Sequence, residues 1–245
     1  MRPVTLPGPA GARALLTCEH ASCAVPVEYA NLGLSAGQLA DHIGWDVGAA
    51  ALTEELSRQL AAPAVLSAAS RLLVDCNRDR GDHDLMPAHS HGVDIPGNAR
   101  IEAAEQEARI ERYYAPYHAA IDDELARHPG ALLLSVHSFT PSLRGRPRPF
   151  DVGVLYDDFD DLAAALAHGV GAAGFSVRMN EPYSGLDGLI FSARSHGQRH
   201  GVHYLELEIN NALLRADASV RRVAGRLAGA IAPLLDRVAS APRTR

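Results

Sequence analysis

The sequence predicts an α/β protein: a single domain over residues 1–245 whose mostly parallel sheet carries helices on both faces. Two observations predict it. Short apolar runs of strand length alternate with longer amphipathic stretches along the chain, the pattern of successive β–α units. No internal repeat, low-complexity segment or linker interrupts that alternation, and 245 residues is an ordinary size for one α/β domain.

Arg13–Cys18 (RALLTC) is a short apolar run that reads as a buried strand. Ser35–Leu60 reads as one amphipathic helix, with Leu39, Ile43, Val47, Ala50 and Ala51 on one face. Pro63–Ser67 and Leu72–Asp75 form a second strand region. Cys76–Asn98 has little periodicity and much His, Asp, Gly and Pro. Structureless stretches beyond about 12–15 residues are uncommon and often functional. Ala99–Arg127 is a long charged helix, stopped by Pro129-Gly130. Ala131–Val136 (ALLLSV) is the central strand, and Ser138–Pro149 a basic, proline-rich loop. Phe150–Tyr156 is a strand, Asp160–Ala173 a helix and Phe175–Arg178 a short strand. A Gly-rich loop runs to Gly201, before the last strand, Val202–Ile209, and a final helix, Ala216–Val238.

Composition removes whole classes of function. An apolar fraction of 47% with 21% charged residues is ordinary globular usage, which excludes global disorder and coiled coil. A formal net charge of −6 offers no attraction to nucleic acid or an anionic membrane. All 23 basic residues are Arg, so lysine Schiff bases and Walker-type phosphate lysines are absent. Three cysteines, Cys18, Cys23 and Cys76, are too few for a disulfide framework and fit a reducing compartment. The N-terminal stretch lacks the apolar run of a signal peptide, and no stretch approaches the roughly 18 apolar residues of a spanning helix. The expectation is a soluble cytoplasmic protein acting on a small molecule.

In open α/β sheets, ligands bind beyond the carboxyl ends of the strands. Three strands here run into ionisable residues: the first into Glu19-His20, the central one into His137-Ser138, and the last carries Glu206 and Glu208 before Asn210-Asn211. His42 and Asp46, four apart, would share one face of the first helix. Two imidazoles and a carboxylate, with a fourth position left for water, suit a catalytic zinc. His20, Asp46 and His137 are the candidate ligands. Glu208 is the candidate proton acceptor and Glu206 its alternative, because residues two apart on a strand face the same side. Iron, cobalt and manganese accept similar ligands. Each residue alone has a blander reading: a hydrogen-bonded histidine, a solvated helix face, an ordinary ion pair. Convergence of several elements favours the metal. Cys18-x-His20-x-x-Cys23 lacks the second cysteine pair of a thiolate zinc site.

These stretches also resemble the N-formylglutamate amidohydrolase family. The resemblance is carried by Cys18-Glu19-His20-Ala21-Ser22, His42-Ile43-Gly44-Trp45-Asp46-Val47-Gly48-Ala49 and Ser70-Arg71-Leu72-Leu73-Val74-Asp75-Cys76-Asn77-Arg78. Ile95-Pro96-Gly97-Asn98, Ser135-Val136-His137-Ser138-Phe139-Thr140-Pro141, Asn180-Glu181-Pro182-Tyr183-Ser184-Gly185 and Leu207-Glu208-Ile209-Asn210-Asn211 continue it, over about residues 13 to 215. It implies a zinc-dependent-exopeptidase-like fold and hydrolysis of N-formyl-L-glutamate to glutamate and formate, the last step of a route degrading histidine. The zinc N-acetylmuramoyl amidases are a more distant likeness, and both place His20, Asp46, His137 and Glu208 around zinc. The pattern departs at two positions: Cys23 stands where Asn is usual, and Asn210 where Arg is usual.

Arginine matches carboxylate through a planar fork of donors. Candidates for substrate carboxylates are Arg71 and Arg78, against ion pairs with Asp75 or Asp79, and Arg144, Arg146 and Arg148 in the loop after His137, with Arg144 favoured. Asn180 and Tyr183 could orient the amide. Two alternatives stand beside this reading: a zinc hydrolase of another N-acyl amino acid or a peptidoglycan-type amide, and a metal-free binding protein that kept the pocket.

Overall fold

In the computed structural model, residues 1–240 are described, and the last five of the predicted domain lie outside the described residues. Seven strands form the main sheet: β1 (Val4–Leu6), β2 (Ala14–Cys18), β3 (Ala64–Leu66), β4 (Leu132–Phe139), β5 (Val152–Leu155), β6 (Val177–Met179) and β7 (Tyr204–Asn210). Their spatial order is β1-β3-β2-β4-β7-β5-β6. β3, β2, β4 and β7 run parallel, β1 is antiparallel at one edge, and the parallel pair β5–β6 is antiparallel to β7. The sheet is therefore mostly parallel, as predicted.

The helices are α1 (Ala36–Ala40), α2 (Ala49–Leu60), α3 (Ala103–Arg109), α4 (Ala115–Arg127), α5 (Asp160–Ala172), α6 (Phe191–His200) and α7 (Asp217–Ser240). α2, α5 and α7 pack on one face of the sheet, and α4 and α6 on the other. Every residue of β4 and β7 is buried, as expected of strands covered on both faces. Among the described residues no helix is long and apolar enough to cross a membrane.

The two cores separate by the strand period of two. Leu16, Leu134 and Leu207 pack with α2, α5 and α7. Leu15, Leu133 and Tyr204 point the other way, under α4. On this second face the strands change character towards their carboxyl ends. Thr17, Ser135 and Glu206 share one register row, and His137 lies beside Glu208 in the next. The same alternation that builds the core thus gathers polar side chains at one end of the sheet.

Several predicted elements differ. Ser35–Leu60 is two helices, α1 and α2, joined by a turn, so His42 and Asp46 do not share a helix face. α1 is closed by a capping box between Ser35 and Gln38. The chain then turns where Gly44 presses on the Leu39 carbonyl, and Gly48 adopts φ +85° just before α2. A Cβ on Gly44 would lie 2.2 Å from that oxygen. Leu72–Asp75 is a turn and irregular chain, not a strand. The predicted helix from Ala99 starts at Ala103 and is interrupted by a π turn, Ile110–Tyr114. Two small hairpins, His89–Ser90 with Val93–Asp94 and Ser142–Leu143 with Arg146–Pro147, lie in the predicted loops. α6 occupies the predicted Gly-rich loop, and β1 the N-terminal stretch.

Candidate active site

β2 ends at Cys18, and Glu19 and His20 follow it directly. The Asp46 amide donates to the His20 carbonyl at 3.0 Å, which pins the turn between α1 and α2 to the end of β2. β4 supplies Ser135 and His137, and β7 supplies Glu206 and Glu208. All are buried. Gly153 on β5 faces Glu208 across the ladder. A Cβ there would fall 2.0 Å from the Glu181 carbonyl oxygen, so only glycine lets the loop that carries Tyr183 close over this end of the sheet.

His20, Asp46 and His137 present donor atoms that all lie within 4.8 Å of one another. His20 Nε2 donates to Asp75 Oδ1 at 2.7 Å, which leaves Nδ1 facing Asp46 Oδ1 at 3.5 Å. That Nδ1 is buried without a hydrogen-bond partner. His137 Nε2 donates to Glu19 Oε2 at 3.0 Å, and its Nδ1 lies 2.8 Å from Asp46 Oδ2. Each imidazole is thus oriented by a carboxylate behind it, as metal-binding histidines usually are. Glu19 is itself fixed by the Tyr117 and Ser135 hydroxyls at 2.9 and 2.6 Å. Asp75 accepts from Arg71 Nη2 at 2.8 Å and from the Asn77 amide at 2.9 Å. Glu206 accepts from Asn77 Nδ2 at 3.3 Å. Glu208 Oε2 is buried with no partner.

The electrostatics follow from this crowding. Burial pushes the Asp46 carboxyl up, but the charges and hydrogen bonds of His20 and His137 outweigh it and hold it well below the usual range. For Asp75, burial is likewise outweighed by Arg71 and His20. Glu19 is buried too, yet His137 and Ser135 hold it low. His137 is raised well above an ordinary imidazole: burial opposes this, and Glu206, Asp46 and Glu19 overcome it. Burial raises Glu206 to about 7 and Glu208 well above the carboxylate range, with Asp46 adding to the rise at Glu208. Five buried carboxylates, Glu19, Asp46, Asp75, Glu206 and Glu208, therefore face two imidazoles and two guanidinia, those of Arg71 and Arg78. A site with surplus negative charge, an orphaned imidazole nitrogen and fixed tautomers fits a divalent cation held by His20, Asp46 and His137.

These residues line a cavity of about 150 Å³ together with Arg71, Arg78, Ser138, Thr140 and Tyr183. Arg71 is braced by Asp75 and stands 3.8 Å from Asp46. Among the described residues, the ion-pair partner of Arg78 is Asp82, at 3.9 Å. Arg144 lies outside this cavity, on the wall of an adjoining one. Asn180 does not line the cavity. Its Oδ1 accepts the Tyr156 and Gly185 amides and so holds the loop that carries Tyr183. Asn210 is also turned away, its side chain donating to the Phe150 carbonyl and accepting from the Ala212 amide. Cys23 is a half-buried free thiol. The sequence shows Glu19 at a strand end and offers Asp75 only as an alternative ion-pair partner for Arg71 or Arg78; their seats behind His137 and His20 come from contacts distant in sequence.

Fold and site together define an α/β protein with a buried histidine–carboxylate centre at the carboxyl ends of its parallel strands. The profile of the N-formylglutamate amidohydrolase family matches residues 12–215, and the chain belongs to that family of amidohydrolases. The crystal structure of gene product Atu2144 from Agrobacterium tumefaciens superposes with a TM-score of 0.92 at 34% identity, covering 98% of this chain and 96% of that one. The N-formylglutamate amidohydrolase from Ralstonia eutropha JMP134 shares the fold, with a TM-score of 0.68 at 20% identity, over 96% of this chain and 98% of that one. No curated protein matches the chain.

Proposed function

We propose that the chain is a metal-dependent amidohydrolase that cleaves the formyl amide of N-formyl-L-glutamate, releasing glutamate and formate in the cytoplasmic degradation of histidine. The observation that carries this is Glu208. Its Oε2 is buried and unpartnered in the wall of a cavity whose other walls are His20, Asp46 and His137. His137, Glu206 and Glu208 form a second candidate cation group; with the ion held by His20, Asp46 and His137, the unpartnered Glu208 oxygen is left to handle a proton.

His20, Asp46 and His137 would hold zinc or another first-row divalent ion. When bound, zinc supplies a Lewis acid for the formyl carbonyl and lowers the pKa of water. Glu208, whose ionised form a divalent cation held beside it would favour, would then accept the proton of the attacking water and return it to the amide nitrogen as the C–N bond breaks. Glu19 and Asp75 keep the imidazoles in their binding tautomers. A formyl group is small, so most of the binding energy comes from the two carboxylates of the substrate. Arg78, the guanidinium of the cavity wall with the looser counter-ion, takes one of them, with Arg71 and Tyr183 in the same lining. Arg144 reaches the substrate from the adjoining wall, and Asn180 acts on substrate through the loop that it holds.

A panel of N-formyl and N-acetyl amino acids, assayed with metal analysis of the purified protein, tests the reading. The expected result is one metal per chain, formate release that a chelator abolishes, and preference for formylglutamate. Full activity in metal-free protein, or no turnover of any formyl amino acid, overturns it.

A further inference from the structure

On the face of the sheet that α4 and α6 cover, a second group of histidines and a carboxylate stands apart from the catalytic cavity, which none of its members lines. His196 and His200 lie one turn apart on α6 and so share a face. Asp122 reaches them from α4. Donor atoms of Asp122, His196 and His200 all lie within 4.8 Å of one another. His196 Nδ1 is 2.7 Å and His200 Nε2 2.9 Å from the same oxygen, Asp122 Oδ1. Asp122 Oδ2 accepts from Arg199 Nη1 at 2.7 Å, which fixes the carboxylate with Oδ1 turned to the two rings. The His196 side chain is 1% exposed, whereas those of Asp122 and His200 are 32% and 21% exposed, so one side of the group is open to solvent.

A carboxylate only accepts, so without an ion both imidazoles donate to Oδ1. His196 Nε2 is then an acceptor and takes a hydrogen bond from His118 Nδ1 at 2.8 Å. That leaves His118 Nε2 a bare acceptor, buried and without a hydrogen-bond partner, which is costly. An ion in place of the two ring protons reverses this chain. The His196 proton moves to Nε2 and donates to His118 Nδ1, and the His118 proton moves to its own Nε2, where the negative charge of Glu19 favours it. A metal-binding imidazole normally donates its far N–H to a neighbour that fixes the ring. His118 occupies that place, stacked on His196 at 5.0 Å and packed against Tyr114 at 4.1 Å. Burial lowers His196 despite Asp122, and a neutral ring is the form that ligates. Donors around a tetrahedral zinc stand about 3.3 Å apart, so the two open side chains, Asp122 and His200, need to draw back by only about half an ångström.

We propose that Asp122, His196 and His200 form a second divalent-cation site, for zinc or a similar first-row ion, with water in the remaining position. The ion ties α4 to α6. The Tyr117 hydroxyl of α4 donates to Glu19, and the Ser192 amide of α6 donates to Asn77 at 2.9 Å, so the tie braces the two helices that stand behind the catalytic centre. Arg199 repels the ion, whereas the catalytic centre has a surplus of carboxylates. This site is therefore the weaker one and fills when zinc is added beyond the metal of purification. The proposal does not rest on the amidohydrolase reading.

The test titrates untagged, chelator-treated full chain with zinc chloride against a chromophoric chelator, in wild type, His200→Ala, Asp122→Asn and His137→Ala. The expected result is two equivalents in wild type, the weaker of which is bound at least tenfold less tightly in His200→Ala and in Asp122→Asn and is kept in His137→Ala. Saturation of wild type at one equivalent that His137→Ala loses overturns the proposal, as does a second equivalent held equally by wild type, His200→Ala and Asp122→Asn. One equivalent kept by His137→Ala and lost by His200→Ala supports the α4–α6 site and overturns the catalytic ligand set instead. Unfolding reads the brace without a variant. The urea midpoint of wild type should rise again between the first and second equivalents, because an ion bound only by the folded chain stabilises it; no second rise overturns the proposal.

Discussion

Glu206 and Glu208 stand two residues apart on the same face of β7, and their partners set them apart. Glu206 accepts from Asn77 and lies 3.5 Å from His137 Nε2, whereas Glu208 Oε2 has no partner. Glu208→Gln keeps the volume and removes the proton acceptor. It should bind zinc and substrate nearly as wild type while kcat falls by about 10²–10⁴; Glu206→Gln should be much milder. Steady-state kinetics of the two variants decide it, and a dead Glu206→Gln beside an active Glu208→Gln would exchange the roles. Asp75 acts one bond further out. Asp75→Asn still accepts through its Oδ but no longer carries the charge that draws the proton of His20 Nε2. Zinc affinity, read by competition with a chromophoric chelator, should weaken by about 10–100-fold. Wild-type affinity would show that Asp75 serves Arg71 and not His20. The candidate ligands were legible in the sequence because residue type and strand end coincide at His20 and His137. Glu19 and Asp75 were not assigned these places, since Glu19 reaches His137 over 118 positions of sequence and Asp75 reaches His20 over 55.

Between α1 and α2 the apolar period of a helix continues through a segment that is not helical. Of the predicted face, Leu39 and Ile43 are buried, Val47 and Ala50 half-buried and Ala51 exposed; the large residues that α2 buries are Leu52 and Leu56, which serve the opposite core from Leu39 and Ile43. That is why periodicity predicted one helix from Ser35 to Leu60. The break was marked only by Gly44 and Gly48. α6 was hidden for the converse reason: FSARSHGQRH is polar and contains Gly197, which a helix interior disfavours. The close approach of the Tyr204 ring explains that glycine, since a Cβ there would meet the ring at 2.1 Å. The parallel strands were legible because burial on both faces leaves continuous apolar runs. Gly44→Ala tests the break. Its methyl group would meet the Leu39 carbonyl, and overpacking of this kind typically costs about 1–3 kcal/mol. The same turn carries Asp46, so zinc affinity should fall together with the urea midpoint. Loss of stability with unchanged zinc affinity would separate the turn from the site.

Across the molecule, folding drives five carboxylates into one buried end of the sheet, and the cost depends on what neutralises them. Glu206 makes this measurable. Burial raises its pKa from an ordinary 4.5 to about 7. Between those values the folded state holds a proton that the unfolded chain has released. The contribution of Glu206 is therefore fully present below about pH 4.5 and is lost as pH rises through about 7. At about 1.36 kcal/mol per pKa unit, the window is worth about 3 kcal/mol at most. Other groups titrate against it. His118, lowered to about 3 chiefly by burial and then by His196, costs stability as pH falls below 6.5, so the wild-type profile alone cannot isolate Glu206. The difference between Glu206→Gln and wild type can. In chelator-treated protein, urea unfolding at pH 5, 6 and 7 should show the variant gaining on wild type as pH rises. With saturating zinc the gain should shrink, because a cation beside His137 favours the ionised carboxylate and itself stabilises the fold through binding. A pH-independent difference in the metal-free protein would mean that Glu206 remains ionised throughout, and that the surplus charge is relieved by hydration of the cavity and not by a proton.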